Sequence, residues 1–416
     1  MAMDDQIIVG LDIGTTKVCA VVAESGQYGE INVLGMGIAE SKGLNRGVVI
    51  NIDRTVASIQ KAIHAAERAA DVEVQNVIVG IAGDHIKSSL SRGVITISNP
   101  EITEGDVKRL LEDTTRVAMP PDREILHIIP QEFSVDGQDG VLDPVGMSGV
   151  RLEANVHIIT GLVSAAKNID RCIEKAGYHV SDVVLEPLAS SYSVLYPDEM
   201  VAGVALIDIG GGTTDIAIFE DHRIRHTAVI AVAGNHVTED IRNWLGVMRS
   251  QAEQLKCKFG CAMVDHSDSN DEIKIPGLGG RPEKTISSGA LAQIIQPRMQ
   301  EILEIADLEI RRSGNGKHLQ AAVLTGGGSL IAHTKDLADE VLGLDTRVGS
   351  PTKQGSGLWE EVSDPKYATG TGLVLYGLSP NNLGDIRRER IGGDKGNKES
   401  GFTKFFSRMK GWFDEL

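Results

Sequence analysis

Val204-Ala-Leu-Ile-Asp208-Ile-Gly210-Gly211-Gly212-Thr213-Thr214-Asp215 is the stretch whose reading decides the fold. Val204 to Ile207 form an apolar run short enough for a buried strand, and Ile216 to Phe219 resume one after the glycines. The glycines therefore sit in a tight hairpin. Without a Cβ, the backbone can come close to a ligand and aim several N–H groups at one point, which suits an anionic phosphate. Asp208 and Asp215 cannot hold phosphate directly, because like charges repel. A divalent cation bound mainly through water reconciles the two, and Mg²⁺ is the usual choice. Taken alone, a glycine hairpin is only a turn.

A second copy changes that reading. Ile7 to Lys17 runs Ile-Ile-Val-Gly-Leu-Asp12-Ile-Gly14-Thr15-Thr16-Lys17 and leads into Val18, Ala20, Val21 and Val22. Strand, Asp-x-Gly-Thr-Thr and strand recur, with Lys17 expected where the later copy has Asp215. Two hairpins of one design imply two related lobes facing each other. A third glycine turn, Gly326-Gly327-Gly328, follows the short apolar strand Ala321 to Leu324. This constellation resembles the actin-like ATPase superfamily. The resemblance implies an α/β, two-lobe fold of duplicated ribonuclease-H-like cores that binds ATP and Mg²⁺. The phosphate candidates are then Asp12, Gly14, Thr15, Thr16, Lys17, Asp208, Gly210, Gly211, Gly212, Thr213, Thr214, Gly326, Gly327 and Gly328. Asp12 and Asp208 are the acids expected to meet Mg²⁺ through water.

Length and charge narrow the class. A chain of 416 residues allows two to four units and a sizeable core. A net charge of −17 argues against nucleic acid as the main partner. The acidic start Met1-Ala-Met-Asp-Asp5 is not followed by a signal-peptide apolar stretch, and no apolar run is long enough to span a membrane. A cytoplasmic body is expected, with Cys19, Cys172, Cys257 and Cys261 as reduced thiols rather than a zinc site.

Along the chain, Asp53 is the expected N-cap of a helix with Val56, Ile59, Ile63 and Ala66 on one face. Residues 84–162 read as a small α/β insertion with a helix started by Thr103 and Asp106. Its short strands are Val94–Ile97, Ile125–Ile129, Glu132–Val135 and Ala154–Ile159, and its His127, Gln131 and His157 read as structural. Glu186 precedes Pro187 at a strand–helix junction. Residues 234–262 read as helical, and residues 287–312 as a second helical stretch kinked or restarted at Pro297. Glu253 and Lys256 have the spacing of a surface ion pair, and also the Glu-x-x-Lys spacing that superfamily relatives use beside the nucleoside.

The C-terminal end differs in composition. Residues 379–400 form a polar, glycine-dotted linker with an r.m.s. span of roughly 25 Å and a full extension of about 75 Å. In residues 401–416, Phe402, Phe405, Phe406, Met409, Trp412 and Phe413 fall on one face of a helix, with Lys404, Arg408 and Lys410 on the other side. Four of the seven Phe lie here, and residues 387–416 carry +3 against −20 for the rest. This pattern matches an interfacial helix on an anionic membrane, strengthened by multivalency when many tails share one assembly.

An actin-like core with an early insertion and an aromatic tail is similar to the FtsA family of bacterial cell-division proteins. The resemblance covers nearly the whole chain. It includes Ile129-Pro-Gln-Glu-Phe133, Asp143-Pro-Val-Gly-Met-Ser-Gly-Val-Arg151, Ala189-Ser-Ser-Tyr-Ser-Val-Leu195 and Gly279-Gly-Arg-Pro282, besides the glycine turns. It implies subdomain 1A at 1–83 and 163–198, an inserted 1C at 84–162, 2A at 199–232 and 313–378, and 2B at 233–312. It further implies ATP-dependent filaments on the cytoplasmic face of the cell membrane at the division site. Those filaments tether the tubulin-like FtsZ and signal to later division proteins, whose contacts are expected on 84–162. Lys284, Arg298 and Glu301 are the implied contacts for the FtsZ C-terminal peptide. Glu186 is the implied positioner of the attacking water, in at most a slow ATPase. Two rivals share the hairpins: a small-molecule kinase, which needs a substrate-binding constellation and has no use for the tail, and a PilM-like pilus-assembly ATPase.

Overall fold

The computed structural model describes residues 7–25, 31–116, 120–267, 271–277, 282–352 and 355–379. Two sheets of one design form its frame. The first runs His179–Leu185, Asn76–Ile81, Ile7–Ile13, Lys17–Ser25, Ile31–Glu40, with Gly355–Gly357 added at the edge. The second runs Asp345–Val348, Ala321–Thr325, Val204–Ile209, Thr214–Glu220, Arg223–Ile230. In each, three strands form an antiparallel meander, and the first of them pairs in parallel with a later strand. A further parallel strand completes both sheets. The same order and sense twice over make this a duplicated α/β core, the two-lobe actin-like fold.

The apolar run at 204–207 is buried on both sides, so it does not alternate with polar residues. It alternates between cores instead. Val204 and Leu206 join one cluster with Leu11, Val79 and Leu185, while Ala205 and Ile207 join the other with Ile241, Leu291 and Leu324. One strand thus ties together the packing of both lobes.

The chain leaves the first lobe through the helix Glu186–Val194 and returns between Asp345–Val348 of the second sheet and Gly355–Gly357 of the first, before the helix Ala368–Leu378 packs on the first sheet beside Glu186–Val194. They cross closely, because Gly372 has no side chain and faces the Ala189 carbonyl, which a Cβ would overlap. Ser193 Oγ donates to the Ala368 carbonyl at 2.7 Å and fixes the crossing.

The inserted unit is a four-stranded antiparallel sheet ordered Lys87–Thr96, Arg151–Leu162, Arg123–Val135, Gln138–Val141. The helix Glu104–Thr115 packs on it, and Thr103 and Asp106 close a reciprocal cap, Asp106 N–H to Thr103 Oγ1 at 3.2 Å and Thr103 N–H to Asp106 Oδ2 at 3.0 Å. Its core gathers Leu110, Phe133, Leu152 and Val156. The residues read as structural join it to both lobes. His127 Nε2 accepts from the Leu185 N–H at 3.0 Å, and Gln131 Nε2 donates to the Ile224 carbonyl at 2.9 Å. His157 lies 3.5 Å from Thr227 Oγ1, with its pKa pushed down to about 4 by burial and by the nearby His226 and His127.

Several local expectations are corrected. Asn51, not Asp53, caps the first helix (Ile52–Ala70), its side chain accepting from the Arg54 N–H; Asp53 falls in the first turn. The helical reading of 234–262 resolves into Gly234–Leu245 and Arg249–Phe259, because Gly246 takes a left-handed conformation. Pro297 does not restart its helix, which is continuous from Ser288 to Arg312. An interior proline costs about 3 kcal/mol. Leu291, Ile295, Ile302 and Leu303 are fully buried along the same helix, at about 1.5–3 kcal/mol each. In the insertion, the first strand extends over Lys87–Thr96, and 125–129 and 132–135 are one strand, Arg123–Val135. Pro130 is tolerated inside it at a register shift against Val156, where a ladder bond is already lost. The linker beyond Ser379 and the whole aromatic tail, with Phe402, Lys404, Phe405, Phe406, Arg408, Met409, Lys410, Trp412 and Phe413, lie outside the described residues. Gly279, Gly280 and Arg281 do as well.

Candidate functional site

The two hairpins meet across the lobe interface. A Cβ at Gly211 would overlap Thr16, and one at Gly212 would overlap Thr15. The residue types at both tips are thus dictated by close approach. Strand register corrects the alignment of the two copies. Asp12 pairs with Cys19 and Asp208 with Asp215, so Cys19 stands in the place of Asp215, and Lys17 in that of Thr213. The lysine is therefore at the tip of its hairpin, where its ammonium reaches inward to Asp12 Oδ2 at 2.7 Å.

Four carboxylates form one buried cluster, Asp12, Glu186, Asp208 and Asp215, and Lys17 acts on Asp12, Asp208 and Glu186 within it. Burial pushes the Asp208 carboxyl up to about 6, against a lowering hydrogen bond from Ser190 and with Asp12 adding repulsion. Burial and the Asp208 charge push Asp215 up to about 8. Glu186 is raised by enclosure in the protein and then by Asp12, Asp215 and Asp208, with Lys17 opposing. Burial would lower the Lys17 pKa, but the neighbouring acids, Asp12 foremost, outweigh it and the pKa is raised. Asp215 is 4% exposed; Thr213 donates to its Oδ2 at 3.0 Å, while its Oδ1 is buried with no hydrogen-bond partner among the described residues. A buried polar atom left in this state marks a place where a missing positive group fits. Among the described residues, no three of His, Cys, Asp and Glu converge as direct metal ligands. The donor set therefore suits a cation that keeps its waters, the habit of Mg²⁺.

The surrounding elements position these groups. Glu186 opens its helix just before Pro187 and faces Gly80. The third turn, Gly326 to Gly328, packs beneath the second hairpin against Asp208 and Ile209. Helix Gly234–Leu245 hangs from that hairpin by backbone bonds, Gly234 N–H to the Gly210 carbonyl at 3.0 Å and Asn235 N–H to the Gly211 carbonyl at 2.8 Å. Lys256 Nζ donates to the Gly234 carbonyl and to Thr238 Oγ1, both at 3.0 Å, and pairs with Glu253 at 2.9 Å. Burial raises the Glu253 carboxyl, but Lys256 and Thr238 outweigh it and leave the pKa low. The ion pair thus exists, and its lysine braces the glycine hairpin.

Of the sequence candidates, the structure brings together the two hairpins, the third turn, Glu186, Glu253 and Lys256. Lys284, Arg298 and Glu301 lie apart, with the helices after the second hairpin. Lys284 Nζ donates to the Leu245 carbonyl at 3.3 Å. Arg298 is held by Asp240 at 2.6 Å and also pairs with Glu301, so its charge is already matched within the chain. Sequence reasoning missed Ser190 and Thr369, whose hydroxyls lie 3.0 Å and 3.4 Å from Asp208 Oδ2. It set Asp215 beside Asp208 as an acid in need of a cation but did not carry it into the assigned site residues. For Asp215 the signal was available in equal hairpin lengths; for the hydroxyls, on helices distant in sequence, there was none. No helix among the described residues is long and apolar enough to cross a membrane.

Comparison with known proteins gives the same frame. A family profile described as "Cell division protein FtsA" matches residues 205–372, and one described as "SHS2 domain inserted in FTSA" matches residues 83–160. The chain is 43% identical to the cell division protein FtsA of Pseudomonas aeruginosa over 98% of its own length and 97% of that protein's. Its identity to FtsA of Escherichia coli K12 is 38%, over 94% of each chain. Among solved structures it is similar to a PilM–PilN type IV pilus biogenesis complex, with a TM-score of 0.67, 15% identity, and 90% and 99% of the two chains covered. It is also similar to MreB5 of Spiroplasma citri bound to ADP, with a TM-score of 0.53, 18% identity, and 89% and 96% covered. Those two likenesses speak for the fold. The identities above, held over nearly the full length, place the chain in the FtsA family of cell division proteins.

Proposed function

We propose that the protein binds ATP with Mg²⁺ between its lobes, assembles into filaments on the inner face of the cell membrane, and there anchors FtsZ and recruits later division proteins. The observation that carries the nucleotide reading is the meeting of two glycine hairpins over a surplus of buried carboxylate. Gly14 to Lys17 and Gly210 to Thr214 would cradle the phosphates, with Lys17 as their charge partner. Asp12 and Asp208 would hold Mg²⁺ through water, and the ion would supply the positive charge that the cluster lacks. Glu253 and Lys256 would border the nucleoside, with Gly326, Gly327 and Gly328 closing the floor. The fold neighbours favour this use of the cleft: one is MreB5 bound to ADP, and MamK forms a double helical filament. Glu186 is the positioning acid for water in a slow hydrolysis that resets the polymer.

Anchoring is assigned to the tail. Phe402, Phe405, Phe406, Met409, Trp412 and Phe413 would enter the interface, while Lys404, Arg408 and Lys410 meet anionic headgroups. One short helix binds weakly, so assembly of many tails makes the attachment firm. Lys284, with Arg298 and Glu301, is the proposed docking region for the FtsZ C-terminal peptide, and residues 84–162 are the proposed contact for later partners. The test is co-sedimentation with anionic liposomes, comparing the full chain with one ending at Ser400, with and without ATP. Pelleting of the full chain alone, strengthened by ATP, is the expected result. Equal pelleting of both would remove the tail as anchor.

A further inference from the structure

Asp208 belongs to the second lobe, yet the hydroxyls on its carboxylate come from the helix that leaves the first lobe and from a helix packed on the first sheet. Ser190 Oγ lies 3.0 Å from Asp208 Oδ2 and sits on Glu186–Val194; Thr369 Oγ1 lies 3.4 Å away and sits on Ala368–Leu378. The two hydroxyls are 3.0 Å from each other. Each has one hydrogen to give. Both short contacts are satisfied together when Thr369 donates to Ser190 and Ser190 donates to Asp208. Ser190 is completely buried and Thr369 nearly so, so water does not compete for these bonds.

The helices bearing the pair are locked to each other at the same level. Ser193 is bonded to the Ala368 carbonyl, and Gly372 lies against Ala189 with no room for a side chain. A rotation between the lobes acts on this crossing, because one connection is the helix Glu186–Val194 itself and the other, residues 349–354, is tied to that helix by the Thr352 N–H to the Ser193 carbonyl at 2.8 Å. Any such rotation carries Ser190 and Thr369 past the second hairpin, and so past Asp208.

We propose that Ser190 and Thr369 are positioning residues, a hydroxyl relay that sets the Asp208 carboxylate toward the cation and couples divalent-ion affinity to the angle between the lobes. This inference rests on the reading of Asp208 as a cation-side acid. A carboxylate that meets a metal through water must be aimed, and hydrogen bonds to its second oxygen do the aiming. The short link through Ser190 makes it the dominant member. Thr369 acts through Ser190 and through its longer contact.

The experiment is a titration of a fluorescent ATP analogue against the full-length protein at graded Mg²⁺ and in excess EDTA, with a thermal melt of each variant. Ser190→Ala should raise the Mg²⁺ concentration for half-maximal tight binding about 10-fold, with metal-free nucleotide affinity and Tm little changed. Thr369→Val should shift it in the same direction by less, and Ser190→Thr should restore it. An unchanged Mg²⁺ midpoint in both Ser190→Ala and Thr369→Val overturns the relay. So does a loss that is equal with and without Mg²⁺, which would make the pair merely structural. If the wild-type protein binds the analogue with no Mg²⁺ dependence, the cation reading of Asp208 fails and the relay falls with it. If wild type responds to Mg²⁺ and the variants do not differ, only the relay fails.

Discussion

Asp215 has a pKa near 8 in the fold against 3.8 for a free side chain, and Asp208 one near 6. Between those limits the folded protein holds protons that the unfolded chain has released. The contribution of these two acids to the stability of the ligand-free protein should therefore fall as pH rises from about 4 to about 8, while His157, depressed to about 4, works in the opposite sense below its ordinary value of 6.5. Asp215→Asn removes one repelling charge while keeping an acceptor for Thr213. Its Tm should match wild type near pH 5 and exceed it by a few degrees at pH 8, as measured by calorimetry without nucleotide. A lower Tm for the variant at pH 8 would mean that the charge is stabilising. Glu186 sits in the same field but opens a helix instead of ending a strand. Glu186→Gln should keep nucleotide affinity and slow phosphate release by about 10-fold or more, followed by single-turnover kinetics. Unchanged turnover would remove Glu186 from the chemistry.

At the scale of elements, the informative contact is the crossing of Glu186–Val194 and Ala368–Leu378. The second of these is a run of small and apolar residues, buried from Ala368 to Gly377. It has no polar face, since it lies between lobes and meets protein all round. Gly372→Ala puts a methyl into the Ala189 carbonyl, a rigid backbone neighbour that cannot step aside. Overpacking of this kind costs about 1–3 kcal/mol, so a clear drop in Tm is expected, with weaker ATP response of the lobes in hydrogen exchange. Asn51→Ala is a milder test at an exposed end. Loss of that cap should cost about 1 kcal/mol, readable as a shift in the urea midpoint with no effect on nucleotide binding. Element boundaries followed the same division in the sequence. Thr103 and Asp106 announce their cap because both partners are local. Pro297 suggests a restart that does not occur, because the burial that holds the helix together comes from distant residues such as Ile241 and Leu324 in the same core.

For the whole molecule, charge separates body from tail: +3 in the last 30 residues against −20 elsewhere. Attachment to anionic liposomes should weaken as salt rises from about 50 to 300 mM, since exposed charges are screened within about 10 Å at 0.1 M. Neutral liposomes should show a smaller salt response, and equal curves on both surfaces would assign the attachment to the aromatic face alone. Within the body, the two sheets share one strand order, and the sequence already declares that duplication through Asp12-Ile-Gly14 and Asp208-Ile-Gly210. Local composition suffices there, because a buried strand, a glycine tip and a second strand are neighbours in the chain. The sequence alone thus determined the two-lobe class, the hairpins, the third turn and the inserted unit. Only the tertiary structure decided that Lys17 reaches inward to Asp12, that Arg298 is already paired, and that Ser190 and Thr369 reach one carboxylate. Those facts depend on register and on contacts between residues up to 179 positions apart, and periodicity along a chain carries no information about which distant side chains the fold brings within 3 Å.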